Sequence, residues 1–184
     1  GIIFDPSGNH SLIWTPWELL YHFRDSKTVE LVTYQGRMIS GIQGIVYDCS
    51  LIHVIHEGKD DYYYATGDHA LIWTPWELLY HYRDSKTVEL VTYQGRMISG
   101  IQGIVHCLGA NQSLIWTPWQ LLKYYRESKT VEELAYQGNS ISGIQGIVYD
   151  FNLYGWPYFT AAIWTPTQLF YHRPDLKTFE EVKY

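Results

Sequence analysis

The 184-residue sequence is short of cysteine, of charge and of long apolar runs. Its two cysteines, Cys49 and Cys107, are too few for a disulfide scaffold and lack the Cys-x-x-Cys spacing of a redox or zinc motif. They favour a cytoplasmic, reduced setting, with one disulfide between them as the alternative. No apolar run approaches the roughly 18 residues of a membrane span, and no signal-peptide pattern opens the chain. We therefore expect no membrane partner.

Charged residues make up only 17% of the chain, and the net charge is -6. Sequence-independent binding to a nucleic-acid duplex needs clustered Lys and Arg, so this balance argues against it. Aromatic residues, in contrast, also reach 17%. Such a composition is the opposite of that of disordered chains and predicts a substantial core.

The most informative feature is an internal repeat. Residues 12–46 and 71–105 differ at one position, Phe23 against Tyr82, and more divergent copies follow. The repeat predicts four tandem modules over residues 1–43, 44–102, 103–145 and 146–184, the second with a long hairpin over 49–69. Because the first five residues copy residues 44–48, the N-terminal strand is predicted to complete the last module and close a pseudo-fourfold ring.

Each module is predicted to contain one helix and three antiparallel strands. Thr15, Pro16 and Glu18 form a helix-start pattern, so a helix is expected over residues 17–24. Residues 28–34 alternate as a strand does, a tight turn follows at residues 35–36, and a bent second strand is expected over 38–47. The predicted fold class is therefore α+β, with four small helix-plus-three-strand units.

The module resembles the Sm and Hfq-like family. In residues 27–41 and 86–100 alternating apolar residues reach a Gly turn, and a second Gly follows five positions on. The pair Tyr47-Asp48 stands where that family has an aromatic residue and an aspartate. This resemblance implies small, strongly bent β-barrels with RNA as ligand.

Two repeated elements are candidate ligand sites. The turns offer planar donors and a stacking ring, as nucleotide recognition uses; their residues are Tyr34, Gln35, Arg37, Tyr93, Gln94, Arg96, Tyr136 and Gln137. The Trp-Thr-Pro-Trp segments offer an aromatic platform through Trp17, Trp76 and Trp119, and Thr167 takes this place in the fourth copy. The alternatives are a solvated hairpin turn for the first element and packing between modules for the second.

The sequence predicts neither a metal site, nor a cofactor, nor an enzyme. His53 and His56 are three residues apart, so one strand would point them to opposite faces. His22, His81 and His172 recur at the predicted helix end, where a cation complements the helix dipole. No nucleophile–base or phosphate-loop motif occurs.

We therefore expect a non-catalytic tandem-repeat binding protein that is multivalent and self-associates. RNA or a nucleotide is the first ligand hypothesis, and a glycan bound by a lectin-like protein is the alternative. A second alternative is a structural protein that assembles into rings or filaments through strand edges.

Overall fold

The computed structural model describes residues 1–4, 10–48, 51–56, 59–64, 69–107, 111–150, 160–173 and 178–182. The first sheet contains five strands in consecutive order, β1 Ile2–Phe4, β2 His10–Trp14, β3 Leu19–Phe23, β4 Thr28–Tyr34 and β5 Arg37–Met38. The second sheet begins with β6 Gly44–Asp48. A separate hairpin, β7 Leu51–His56 with β8 Lys59–Tyr64, interrupts it before β9 His69–Trp73, β10 Leu78–Tyr82, β11 Thr87–Tyr93 and β12 Arg96–Met97.

Two more sheets repeat the pattern. The third contains β13 Gly103–Cys107, β14 Gln112–Trp116, β15 Leu121–Tyr125, β16 Thr130–Tyr136 and β17 Asn139–Ser140. The fourth contains β18 Gly146–Asp150, β19 Thr160–Trp164, β20 Leu169–Arg173 and β21 Thr178–Val182. All pairings are antiparallel, so each sheet is a meander of hairpins. Among the described residues no helix is long and apolar enough to cross a membrane.

The predicted α+β class is wrong, because the described residues form strands and contain no helix. Where a helix was expected over 17–24, β3 pairs with β2 on one side and β4 on the other. Thr15 does act as a cap: its Oγ1 accepts hydrogen bonds from the backbone N–H of Trp17 and Glu18, both at 3.2 Å. However, the Thr15 N–H donates to the Glu18 carbonyl at 3.0 Å, which closes a hairpin loop instead of opening a helix.

The Sm/Hfq-like prediction is wrong for the same reason and for a second one. Residues 38–47 are not one bent strand, since β5 ends at Met38 and β6 begins at Gly44 in another sheet. Between them Gly41 has a φ of 69°, and its N–H donates to the Pro16 carbonyl at 2.7 Å. The chain therefore leaves one open sheet and enters the next, whereas an Sm barrel would bend a single sheet.

The prediction that the N-terminal strand completes the last module is also wrong. β1 pairs with β2 of the first sheet, with Ile2 opposite Ile13, and the fourth sheet has β18 in the equivalent place. Closure of a pseudo-fourfold ring by this strand is therefore wrong.

Other local predictions are confirmed. β4 covers residues 28–34, and Val32 and Tyr34 are buried while Leu31 on the opposite side is exposed. The turn lies at Gln35 and Gly36, whose φ values of 51° and 77° suit a tight hairpin. The predicted long hairpin is formed by β7 and β8, although residues 57–58 between the two strands lie outside the described residues.

The chain divides into two compact units. Unit 1 comprises Gly1–Ile101 and Leu108–Asn111, and unit 2 comprises Gln102–Cys107 and Gln112–Tyr184. We call face A of a sheet the side that carries Leu12, Tyr21 and Val32 in the first sheet, and face B the opposite side, with equivalent residues defining the faces of the other sheets. In unit 1, face A of the first sheet packs on face B of the second, and the core contains Leu12, Leu19, Tyr21, Ile45, Ile72 and Leu79.

Candidate functional site

In the first three sheets one end carries both of the elements singled out in the sequence. In all four sheets the loop between the second and third strands contains the Thr-Pro segment, at residues 15–18, 74–77, 117–120 and 165–168, and we call these four loops the Trp loops. In the first three sheets the Tyr-Gln-Gly turn between the fourth and fifth strands lies at the same end, because successive strands of a meander alternate in direction.

Every Trp loop is held by the same set of hydrogen bonds. The threonine Oγ1 accepts hydrogen bonds from the backbone N–H groups two and three residues further along the chain. Both bonds are 3.2 Å long in the second loop, and they are 3.3 and 3.2 Å long in the third. A backbone bond of 2.9–3.0 Å closes each loop. In the first three sheets the glycine after the last strand donates to the loop proline carbonyl, and Gly100 does so to Pro75 at 2.9 Å. The loops are therefore fixed at several points.

The two tryptophans of each segment have different surroundings. The first lies on a strand with its indole over the glycine of the neighbouring strand, as Trp73 lies over Gly44. The second stands at the loop apex and is open to solvent: Trp17 is 74%, Trp76 71% and Trp119 65% exposed. Packing thus accounts for the first indole, whereas it leaves the second unexplained.

The Tyr-Gln-Gly turns offer less ring surface than the sequence predicted. Tyr34 is buried, while Tyr93 and Tyr136 are half-buried. Each tyrosine hydroxyl accepts a hydrogen bond from the next glutamine, Gln35 at 3.2 Å, Gln94 at 3.0 Å and Gln137 at 3.1 Å. These tyrosines therefore orient the glutamine amides, and Arg96 lies exposed beside the second turn.

In unit 1 a salt bridge joins the two predicted elements. Arg37 Nη2 of the first sheet lies 3.1 Å from Glu77 Oε2, next to Trp76 in the second sheet, and its guanidinium lies 5.2 Å from the Tyr34 ring centre. We call Tyr34, Gln35, Arg37, Trp76 and Glu77 the unit 1 cluster. It combines an exposed indole with a cation, a carboxylate and an amide.

The equivalent place in unit 2 has lost both charges. Asn139 replaces Arg37, and Gln168 replaces Glu77. Asn139 Nδ2 instead donates to the Gln137 carbonyl at 3.4 Å, and Gln168 Nε2 donates to Glu181 at 3.0 Å. Asn139 and Gln168 thus replace both members of the pair, whereas in the third Trp loop Gln120 alone replaces the glutamate, so the sequence carries only a partial signal for this pair.

Removing Arg37 should have little effect on folding. Its side chain is 63% exposed, so the salt bridge with Glu77 is screened by water. We expect Arg37→Ala to lower the free energy of unfolding by less than about 1 kcal/mol. Denaturant unfolding measures this, with Arg96→Ala as the matched variant; a loss several times larger would show that the pair holds the sheets together.

The histidines form no metal centre in the part of the chain that is described. The side chains of His53 and His56 lie outside the described residues. His81 does not complement a helix dipole as predicted, since it is buried on β10. Burial, together with the charge of His69, lowers its pKa to about 4. Because His81 is thus neutral near pH 7, its place in unit 1 is that of a core side chain.

Comparison with known proteins gives the fold. No family model matches the sequence, and no curated protein is similar to it. The extracellular domain of a one-component system from B. thetaiotaomicron is similar at 12% identity and a TM-score of 0.59, over 96% of this chain and 21% of that one. An auxiliary nutrient binding protein from Bacteroides thetaiotaomicron gives 14% and 0.57, over 98% and 40%. Dipeptidyl peptidase 4 from Porphyromonas gingivalis gives 9% and 0.53, over 100% and 32%.

The similar structures are β-propeller-like proteins and not Sm-like barrels. The four sheets therefore form a tandem-repeat, propeller-like fold. The chain spans only about a fifth to two fifths of the length of those proteins. At identities this low the likeness concerns the fold and leaves function to the sites.

Proposed function

We propose that this chain is a non-catalytic, multivalent binding protein whose Trp loops bind carbohydrate. The observation that carries the proposal is the exposure of three equivalent indoles, Trp17, Trp76 and Trp119, each between 65% and 74%. The fourth loop has Thr167 in this place, so the chain offers three such sites.

Exposure of a large aromatic residue on a rigid loop favours a binding role. Tryptophan normally buries most of its surface in a core or an interface. Here the threonine Oγ1 bonds and the closing backbone bond hold each apex in place. A ligand that stacks on the indole would therefore lose little free energy to ordering the loop.

Sugar rings match the chemistry around the second indole. The C–H groups on one face of a pyranose carry partial positive charge and stack on the negative face of an indole. Glu77 follows Trp76 in the loop, Arg37 pairs with Glu77, and Gln35 belongs to the same turn as Arg37. These groups could form hydrogen bonds with ring hydroxyls, and the bonds to the two charged groups would be the stronger. The unit 1 cluster is thus the site with the most polar contacts available.

RNA or a nucleotide is supported less well. That hypothesis depended on the Sm-like resemblance, which the fold contradicts, and on the stacking rings of the Tyr-Gln-Gly turns, which are buried or half-buried. Glu18 and Glu77 stand next to Trp17 and Trp76 in their loops, and the chain carries a net charge of -6, so phosphates would be repelled. The similar nutrient binding protein shows only that this fold occurs in a binding protein.

A glycan array followed by calorimetry tests the proposal. We expect Trp17→Ala, Trp76→Ala and Trp119→Ala each to weaken binding to a multivalent glycan about fivefold, since one stacked ring contributes about 1 kcal/mol. The triple variant should lose binding, because the sites act together. Met97→Ala is the matched control, as Met97 is equally exposed at 60% but outside the loops.

Two results would contradict the proposal. One is a glycan affinity that the triple variant retains in full. The other is binding to RNA that falls steeply with added salt, which is the behaviour of phosphate recognition.

A further inference from the structure

Within unit 1, two adjacent repeats show how one sheet covers the next. Face A of the first sheet contributes Leu12, Tyr21 and the partly buried Ile3, and face B of the second contributes Ile45, Tyr47 and Ile72, among others. A salt bridge at the rim joins the same two sheets, since Lys86 Nζ of the second sheet lies 2.5 Å from Glu30 Oε2 of the first. Unit 2 shows the same order of faces. The ring centres of Tyr136 in the third sheet and Phe170 in the fourth lie 5.1 Å apart.

Face B of the first sheet carries a row of exposed apolar side chains. Ile2 is 50%, Phe4 66% and Leu31 48% exposed, and Val29 beside them is exposed as well. Their equivalents in the second sheet, Ile45, Tyr47, Leu90 and Val88, all pack in the core of unit 1. Equivalent positions are thus buried or partly buried in one repeat and exposed in the other.

Face A of the fourth sheet shows the complementary exposure. Val148 is 53% and Tyr171 41% exposed, and Trp164 is the most exposed of the four strand tryptophans. In the first sheet, the equivalents of Val148 and Tyr171 are Ile3 and Tyr21, which pack against the second sheet. An apolar surface of this kind on a folded chain marks an interaction site.

We propose that a second copy of this chain covers these surfaces, with face B of its first sheet packed on face A of the fourth sheet. The repeat itself supplies the argument. Face A of one repeat already packs on face B of the next within unit 1. Face A of the fourth sheet keeps Leu169, Tyr171 and Val182 at the places of Leu19, Tyr21 and Val32 of the first sheet, with Ala162 in the place of Leu12. The contact is heterologous, because two different faces meet. A copy that binds through one face therefore still offers its other face to a further copy.

The proposed contact between two copies repeats the ion pair and the ring contact found between the first and second sheets of unit 1. Glu180 stands in the place of Glu30, and Lys27 in the place of Lys86, so the ion pair can form again between copies. Inside unit 1 the rings of Tyr21 and His81 lie 5.8 Å apart. Tyr171 and His22 of the second copy are their equivalents.

Two pairs of substitutions separate this contact from any other. Phe4→Glu with Leu31→Glu places charge on face B of the first sheet, and Val148→Glu with Tyr171→Glu does so on face A of the fourth. All four side chains are exposed, so neither variant should change the fold, and equal melting temperatures would verify this. By mass photometry and sedimentation, the unaltered chain should form particles larger than 21.6 kDa, while each variant alone stays a single chain.

The decisive sample is an equal mixture of the two variants. Each retains the face that the other lacks, so the mixture should give particles of two chains and nothing larger. Met97→Glu, a control outside both faces, should assemble like the unaltered chain. The proposal is overturned if the unaltered chain stays a single chain throughout a concentration series. It is equally overturned if the chain assembles but the mixed variants stay apart. Glycan binding by the single-chain variants separates this outcome from the role of the Trp loops.

Discussion

Gly44→Ala should lower the free energy of unfolding by about 3 kcal/mol, the upper range for inserting one extra carbon into a packed site. A Cβ built at Gly44 would lie 2.2 Å from Cζ2 and 2.4 Å from Cη2 of Trp73. The ring belongs to the neighbouring strand, where Gly44 and Trp73 are directly opposite. Either the indole leaves its position over Gly44 or β6 and β9 separate, and both changes cost packing that the native sheet has.

The same contact is built into every sheet. A Cβ would approach Cζ2 of the opposite indole to 2.2 Å at Gly1, Gly103 and Gly146 as well. An aromatic ring laid over a strand glycine shields the exposed backbone and fixes the register of the pair. Gly103→Ala should therefore resemble Gly44→Ala in its effect.

A double-mutant cycle measured by denaturant unfolding checks the cause. Trp73→Leu alone should also destabilise the chain, because it removes the ring that covers Gly44. In the double variant the added methyl group no longer meets an indole, so its cost should fall by at least about 1 kcal/mol. Strictly additive effects would show that the close approach of Gly44 and Trp73 is not the source.

The sequence was sufficient for the repeat, for β4 and for the tight turn, because those features are local. It led to a wrong helix prediction at β3, because Leu19, Leu20 and Phe23 fit a helix as well as a strand. The reason is that Leu19 and Tyr21 face one buried side of the sheet while Leu20 faces the other, so no alternation remains. Five residues are too few for periodicity to decide between the two.

The prediction of one bent strand over residues 38–47 was wrong for another reason. Ile39 and Ile42 are buried in the core of unit 1, so the connecting segment is as apolar as a strand. The two glycines of this segment, Gly41 and Gly44, have unrelated roles. The first turns the chain with its φ of 69°, and the second makes room for Trp73. Only the pairing of whole sheets separates these two roles.

The sequence predicted which residue types form the candidate site, but it did not predict which of them are packed and which are exposed. Both tryptophans of the segment belong to one short motif, and only the position of Gly44 opposite Trp73 shows which indole is used for packing. The link between Arg37 and Glu77 spans 40 residues, so it depends on how the first two sheets pack. Local patterns carry no information about such a contact.

Acidification should destabilise unit 1 through His81. Burial and the nearby charge of His69 lower the pKa of His81 to about 4, against 6.5 for a histidine in water. Folding therefore favours the neutral ring, and its Nε2 is buried with no hydrogen-bond partner among the described residues. The contribution of His81 to stability is complete above pH 6.5 and falls as the pH drops towards 4, where the loss amounts to about 3 kcal/mol.

His81→Tyr isolates this contribution from the protonation of carboxylates. Tyr124 occupies the equivalent position in the third sheet and is buried there, so the sheet accommodates a tyrosine at this place. The variant should lose less stability than the unaltered chain between neutral pH and pH 4 in denaturant titrations. His22→Tyr makes the same chemical change at the equivalent, half-buried position of the first sheet, and it should retain the full acid sensitivity. If His81→Tyr is as acid-sensitive as the unaltered chain, protonation of His81 does not cause the loss.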